Sequence, residues 1–416
     1  MSASVIFQKA LLALRYGKQN GWRALGRLIN ARLLKRDKFF GKISVTRQYD
    51  ELLGASFGVT VNAQQVSQMS INWFIPPVGK GSGGHLNIFR FMRNLEDLGY
   101  ENRIIIVGEP KPSSAVLAKN EIEQWFFPLK ASVHLSLNDE IPASYFAMAT
   151  SWPTAYYVRR FQTCIEKCYF VQDFEPWFYP AGSDAMLAEN TYRFGFFGFT
   201  AGSWLANKLH DDYGMRTRAL GFSYDRDLYR PMPELRGQDE FRRVMFYARP
   251  PTARRAFELG ILVLREVCRQ MPEVRVVLAG WDVRGYDIPF PCEHLGLVEI
   301  NQLPQLYGKC DAALVLSCSN LSLLPLELMA CGVPVISNRA PYTQWLLNEE
   351  NAMLAEPDIE SLAQAVLQVI NSPALADRLK SAGVAFAAQT SWEQEAGVLA
   401  DGLAKLTDGQ KIKSHD

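Results

Sequence analysis

From about residue 70 onward, short apolar runs alternate with segments whose apolar positions recur every three or four residues. The runs at 71–75, 103–107, 145–150, 167–171 and 196–199 predict strands. Leu86, Ile88, Phe89, Met92 and Leu95 carry the spacing of a helix over 85–98, and a second helix is expected near 153–163. Strands this apolar, with helices between them, predict a parallel sheet covered on both faces. Residues 224–240 break the rhythm: they are polar and carry Pro231, Pro233 and Gly237, which predicts a domain boundary. The alternation then restarts, with strands at 244–247, 274–278, 312–316 and 333–336. Helices are expected near 253–270, 303–309, 323–331, 359–371, 373–388 and 391–405. The chain therefore reads as two α/β domains of similar size. Their ligand site is expected in the cleft, at the carboxyl ends of the strands.

Composition supports this picture. A chain of 416 residues, 48% hydrophobic and 21% charged, is long enough for two or three domains with real cores, and low-complexity disorder is excluded for most of it. No stretch approaches about 20 uninterrupted apolar residues, so no membrane-spanning helix is expected. The net charge of +1 argues against nucleic acid as a partner. Charge is uneven, however. Lys9, Arg15, Lys18, Arg23, Arg27, Arg32, Lys35 and Arg36 lie among leucines in the first 47 residues, with Asp37 the one acid there. This predicts one or two basic amphipathic helices, either an arm packed on its own domain or a segment that docks on an anionic membrane surface. The apolar core is too short for a secretory signal. Seven cysteines, several inside apolar runs, read as reduced, buried thiols of a cytoplasmic protein. Cys164 and Cys168 have helical spacing, but no matching Cys/His pair follows and no metal site is expected.

Three stretches carry candidate chemistry. Gly79-Lys80-Gly81-Ser82-Gly83-Gly84 joins a strand to a helix, where glycines let the backbone approach a ligand and the helix start offers N–H groups to an anion. With Glu109 at the end of the next strand, the pattern also satisfies a dinucleotide-binding fingerprint. That leaves open an NAD(P)-dependent oxidoreductase, or a tight turn with no ligand. Arg249 follows the strand at 244–247, and Arg254 and Arg255 open the next predicted helix, a placement that suits a diphosphate. Glu327 falls on an otherwise apolar helix, where sugar or ribose hydroxyls, or the helix dipole, would satisfy it. Asp225-Arg226-Asp227 has the Asp-x-Asp pattern of a metal-binding glycosyltransferase but lies in the interdomain stretch and reads as a linker.

The blocks Tyr247-Ala248-Arg249-Pro250, Arg254-Arg255, Leu278-Ala279-Gly280 and Pro325-Leu326-Glu327 with Ala330-Cys331-Gly332-Val333-Pro334-Val335-Ile336 resemble the C-terminal half of family 4 glycosyltransferases of the GT-B fold. In that family an arginine and a lysine five positions later grip the donor diphosphate. Arg249 matches the first, and Arg254 stands where the lysine would be. The family's second glutamate, on the donor ribose, matches Glu327, whereas its first would fall at Ser319 and is missing. Tyr169-Phe170-Val171-Gln172-Asp173-Phe174-Glu175-Pro176-Trp177 and Ile75-Pro76-Pro77 with Gly83-Gly84-His85 resemble the rhamnosyltransferases that build bacterial surface glycans from dTDP-L-rhamnose, a group that also lacks the first glutamate.

The resemblance implies two Rossmann-like domains facing across a cleft. The expected layout is a helical extension over 1–48, an acceptor domain over 49–228, a donor domain over 229–390, and a C-terminal helix over 391–416 that returns towards the first domain. It implies a metal-independent hexosyltransferase, retaining by family precedent, that needs no cofactor. The enzyme would move L-rhamnose to a saccharide acceptor, lipid-linked, in cell-surface polysaccharide synthesis. Gly81, Gly83, Gly84, His85, Arg249, Arg254, Asn320, Leu321, Ser322 and Glu327 would bind the donor. Asp173 would bind or deprotonate an acceptor hydroxyl, with a helix-capping role as its alternative. Residues 1–47 would hold the enzyme at the inner face of the cytoplasmic membrane. A non-catalytic sugar- or membrane-binding subunit of the same fold is the other open reading.

Overall fold

The computed structural model describes residues 46, 49–108, 112, 114–136, 139–235 and 241–409. A four-residue helix, Asp50–Leu53, precedes a compact unit that begins at Ala55 and holds two parallel sheets. The expected basic extension over 1–48, Glu109 and the end of the linker lie outside the described residues, residue 46 apart.

The first sheet contains β1 (Ser70–Ile75), β2 (Glu101–Ile106), β3 (Ser132–Leu135), β4 (Ser144–Ala149), β5 (Cys164–Val171), β6 (Phe197–Ala201) and β7 (Arg216–Leu220). Its order is β3-β2-β1-β4-β5-β6-β7, with every pairing parallel. Helices α1 (Gly83–Asp97), α2 (Ala115–Trp125), α3 (Trp152–Arg160), α4 (Ser183–Asn190) and α5 (Ser203–Tyr213) connect the strands. Strands β1 and β4 are buried along their whole length, as strands with helices on both faces must be.

The second sheet contains β8 (Arg242–Tyr247), β9 (Val274–Ala279), β10 (Cys292–Gly296), β11 (Ala312–Val315), β12 (Val335–Asn338) and β13 (Met353–Ala355). They run in the order β10-β9-β8-β11-β12-β13, again parallel. Around them lie α6 (Phe257–Gln270), α7 (Leu303–Gly308), α8 (Leu324–Ala330), α9 (Pro341–Gln344), α10 (Ile359–Asn371) and α11 (Pro373–Gln389). The chain ends on α12 (Trp392–Thr407), which packs against α1 and β7 of the first lobe.

Three expectations change. The helix expected over 253–270 is broken: Ala253–Arg255 forms a 3-10 turn, Ala256 adopts φ 48°, and the α-helix restarts at Phe257. Arginines at the first turn of a continuous helix would oppose its dipole, and the break takes Arg254 and Arg255 off that end. Cys164 and Cys168 lie on β5, not on a helix. There a four-residue separation spans about 13 Å, too far for one shared ion. Nor are all cysteines buried: Cys168, Cys310 and Cys331 are, whereas Cys318 is exposed. Among the described residues no helix is long and apolar enough to cross a membrane.

Candidate active site

The site forms where carboxyl ends of strands from the two lobes meet. Asp173 follows β5. Its Oδ1 accepts from its neighbour Phe174 N–H at 2.8 Å and from Asn320 N–H at 2.9 Å, and its Oδ2 accepts from the Ser319 hydroxyl at 3.0 Å. Arg254 Nε lies 3.3 Å from the same Oδ2. Burial raises the Asp173 carboxyl above the ordinary aspartate value, and Arg254, Arg255 and the two donors from 319 and 320 oppose that rise. Asp173 is thus a strut between the lobes, with both oxygens engaged by protein donors. Ser319, where the family resemblance places a glutamate, is fully buried. The carboxylate beside it comes from the opposite lobe.

Asn320 completes the strut. Its side-chain amide donates to the carbonyls of Gln172 (3.0 Å) and Ala201 (2.7 Å). Gln172 in turn donates to the Gly84 carbonyl at 3.1 Å, tying the glycine loop to the end of β5. Gly81 has φ 73°, and a side chain at Gly81 or Gly83 would meet nothing within 4 Å, so this loop faces open space. His85 is committed elsewhere: Nδ1 lies 2.8 Å from the Ser82 hydroxyl and Nε2 3.3 Å from the Pro76 carbonyl. Burial lowers its pKa, which makes it a neutral brace of the loop.

Three guanidinium groups gather on the second lobe. Arg249 Nη1 donates to the Tyr247 hydroxyl at 2.9 Å, and Arg255 Nη1 donates to Ser317 Oγ at 2.9 Å. Arg254 stacks on the Phe178 ring, 3.9 Å from its centroid, and its backbone carbonyl accepts from Cys318 N–H at 2.8 Å. Burial is the main reason that the Arg255 pKa falls; Arg254 and, less strongly, Arg249 push the same way. Asp173 opposes them, and the Glu175 carboxyl also interacts with Arg254. Arg249 Nε is buried and lacks a hydrogen bond, whereas the buried Arg254 Nε has the Asp173 carboxylate as its ion-pair partner. A buried guanidinium donor is expensive to leave unpaired, and Arg249 points to an anionic ligand.

Glu327 sits in the first turn of α8 and accepts from the Tyr307 hydroxyl at 3.4 Å. Burial raises its pKa, and Arg90 from α1 and the hydroxyls of Tyr229 and Tyr307 oppose the rise. Arg90 Nη1 is itself buried and without a hydrogen bond. Leu321 is buried and Ser322 half-buried, both in the loop before α8. The Asp-x-Asp stretch has local duties: Asp225 Oδ1 accepts from Asp227 N–H, and Arg226 donates to the carbonyls of Ala388 and Thr390.

Sequence reasoning missed a cavity of about 420 Å³ beyond the ends of β9 and β10, lined in part by Trp281, Arg284, His294 and Leu297. Gly280 immediately precedes its lining residue Trp281. This glycine has φ 111°, and a Cβ there would lie 2.4 Å from the Tyr247 ring.

Residues 242–367 match the family model described as the C-terminal domain of WsaF. The O-antigen biosynthesis protein RfbC of Myxococcus xanthus is 32% identical over 346 residues, which are 80% of this chain and 26% of that protein. The chain thus spans about a quarter of that relative. Among solved structures, sucrose-phosphate synthase from Thermosynechococcus elongatus superposes with a TM-score of 0.63 at 15% identity, over 82% of this chain and 100% of that one. Anabaena Alr3699/HepE in complex with UDP and glucose gives 0.62 at 17%, over 81% and 100%. These likenesses, with the two parallel sheets, show the GT-B fold.

Proposed function

We propose that this chain is a glycosyltransferase that moves a sugar from a nucleoside diphosphate to a saccharide acceptor during assembly of a surface polysaccharide. The observation that carries the reading is the imbalance at the cleft: three guanidinium groups, Arg249, Arg254 and Arg255, gather beside the buried carboxyls of Asp173 and Glu175, and the buried Arg249 Nε has no hydrogen bond. A donor diphosphate would supply the missing charge and acceptors. Arg249 and Arg254 would then neutralise it as it departs, the task a divalent cation performs elsewhere. The bond from the anomeric carbon to the diphosphate oxygen breaks with its electron pair, the acceptor hydroxyl oxygen bonds to that carbon, and its proton passes to the leaving diphosphate. Retention of configuration is the outcome the family resemblance favours. The open loop at Gly81, Gly83 and Gly84 would lie over the transferred sugar. Asn320, Leu321 and Ser322 would line the site, Glu327 would face the donor ribose, and the base would lie towards Trp281 and Leu297.

The naming of RfbC for O-antigen biosynthesis supports a surface polysaccharide as product, and the UDP and glucose held by the Anabaena protein support a nucleotide-sugar donor. The resemblance of the glycine loop and of residues 169–177 favours dTDP-L-rhamnose as donor and a lipid-linked acceptor at the inner face of the membrane. The test is a thermal shift series with dTDP, UDP, GDP and NAD. A ligand at about 100 times its Kd stabilises the native state by about 2.7 kcal/mol. We expect dTDP to raise the melting temperature and Arg249→Ala to abolish the rise. A response to NAD alone would overturn the reading, as would turnover that stops when EDTA is added.

A further inference from the structure

Three aromatic side chains meet where the lobes face each other. Trp177 lies in the one-turn helix Glu175–Phe178 after β5, Trp204 in the first turn of α5 after β6, and Tyr342 in α9 after β12. All three therefore stand at carboxyl ends of parallel strands, two on one lobe and one on the other. Their ring centroids are 5.8 Å (Trp177 to Trp204), 6.0 Å (Trp177 to Tyr342) and 5.6 Å (Trp204 to Tyr342) apart. Lys208, one turn along α5 from Trp204, brings its ammonium to 5.4 Å from the Trp177 ring centroid. The next residue after Trp177 is Phe178, the ring that carries Arg254. The aromatic group is thus continuous with the arginine cluster.

Packing alone does not account for it. The neighbouring rings of Phe174 and Tyr192 are almost fully buried, whereas Trp177 is 45% exposed at the cleft. A large apolar face left open beside a polar site is a feature of a binding surface. The cluster also lies beyond β5, β6 and β12, whereas the cavity at Trp281 lies beyond β9 and β10 on the other side of the second sheet. It is therefore separate from the place proposed for the base.

We infer that Trp177, Trp204 and Tyr342 form a subsite for one pyranose ring of the acceptor saccharide, an inference that rests on the glycosyltransferase reading above. A pyranose has a face of C–H groups that an indole covers and a rim of hydroxyls that a cation and a phenol can bind. The Tyr342 hydroxyl would supply the phenol, and Lys208, whose ammonium also pairs with Asp212 at 2.7 Å and lies 4.6 Å from the Phe174 centroid, would supply the cation. The ring so held would present a hydroxyl towards the Arg254 side of the cleft. Because Tyr342 comes from the second lobe, the subsite is complete only when the lobes are together.

The experiment uses the full chain with saturating dTDP and a series of methyl pyranosides (glucoside, galactoside, mannoside and rhamnoside), observed by saturation-transfer NMR. At least one pyranoside is expected to bind, with the strongest transfer to the protons of one ring face. Trp177→Ala and Tyr342→Ala are each expected to weaken it by about tenfold, a change of about 1.4 kcal/mol, while the dTDP thermal shift stays as in the wild type. Trp177→Phe, which keeps a ring, is expected to bind within about threefold of wild type. The subsite is overturned if no pyranoside binds, or if both alanine variants bind as the wild type does. It is also overturned if both alanine variants lose the nucleotide response as well, because the rings would then be interlobe packing. A wild type that binds a pyranoside but no nucleotide would instead sink the glycosyltransferase reading.

Discussion

Asp173 shows how much one side chain can carry: it ends β5, holds Ser319 and Asn320 of the other lobe, and sets the charge beside Arg254. Asp173→Asn keeps an oxygen for the two backbone N–H groups but removes the negative charge. Breaking a buried ion pair costs about 3–5 kcal/mol. Arg254 keeps 27% of its side-chain surface exposed, so a loss at or below about 3 kcal/mol is expected. Inorganic pyrophosphate should then recover more melting temperature in the variant than it adds to the wild type. An unchanged melting point would refute the strut. Glu175, two residues on, gives a pH test. It accepts from Trp152 N–H at 3.0 Å and the Tyr169 hydroxyl at 2.8 Å, and burial pushes its pKa up to about 7 from the ordinary 4.5. The folded state therefore holds this proton more tightly. The stability from this group is complete below about pH 4.5 and is lost as pH rises through about 7, by an amount on the order of 3 kcal/mol. Glu175→Gln keeps an acceptor for Trp152, and the Tyr169 hydroxyl can turn to accept from the new amide. Melting curves should show the variant ahead of wild type at about pH 8 and level with it at about pH 5; the opposite order would show that the carboxylate is stabilised in its charged form.

At the scale of elements, legibility followed burial. Strands β1, β4, β5, β8 and β9 sit inside the sheets, and each carries an apolar run that could be read alone. Strand β10, Cys-Glu-His-Leu-Gly, is a half-exposed edge, and β7, Arg-Thr-Arg-Ala-Leu, is another edge that carries two arginines. Neither has an apolar run, because an edge needs none. Helices α2 and α4 escaped for a related reason: each buries few residues and so shows little periodicity. The site was half legible. Arg249, Glu327 and Asp173 could be named from the sequence, but Asp173 and Ser319 are separated by 146 residues and their contact could not. The approach of Gly202 to Trp345 was equally hidden. Gly202 caps α5 with φ 83° and ψ 162°, a conformation almost confined to glycine, and a Cβ there would lie 2.4 Å from the Trp345 ring. Gly202→Ala should cost about 2–4 kcal/mol, the sum of backbone strain and overpacking. Adding Trp345→Leu should relieve the clash and leave the strain, so the double variant should be less unstable than the two losses added. Strict additivity in denaturant titrations would refute the contact.

For the molecule as a whole, the open question is what makes two sheets behave as one body. The linker after β7 carries Pro231 and Pro233, and its described part packs Tyr224 and Tyr229 into the core. Helix α12 supplies the coupling: it follows the second lobe in the chain yet lies on the first. Trp392 packs edge-on to Phe91 of α1 at 5.7 Å and against Phe222 at 6.1 Å, with Arg90 5.1 Å from its ring centroid. Glu395 accepts from Gly221 N–H at 2.6 Å, Asp401 pairs with Arg218 at 2.7 Å, and the Tyr100 hydroxyl donates to the Ala400 carbonyl. The exposed ion pair contributes little, whereas the buried indole contributes most of the attachment. Truncating a buried tryptophan to alanine costs about 3–5 kcal/mol. Here the loss falls on the segment that joins the lobes, so Trp392→Ala should do more than lower the midpoint. It should split one calorimetric transition into two, because Trp392 belongs to the apolar cluster that holds residues of both sheets, whereas each sheet also has a cluster of its own. Asp401→Asn, which removes the pairs of a half-exposed carboxylate with Arg218 and Lys405, should leave a single transition shifted by about 1 kcal/mol or less. The nucleotide response should survive in Asp401→Asn and weaken in Trp392→Ala, because the arginines need Asp173 from the other lobe to hold their geometry. If Trp392→Ala still melts in one transition with an unaltered nucleotide shift, α12 is a passenger and the contacts across the cleft hold the lobes together.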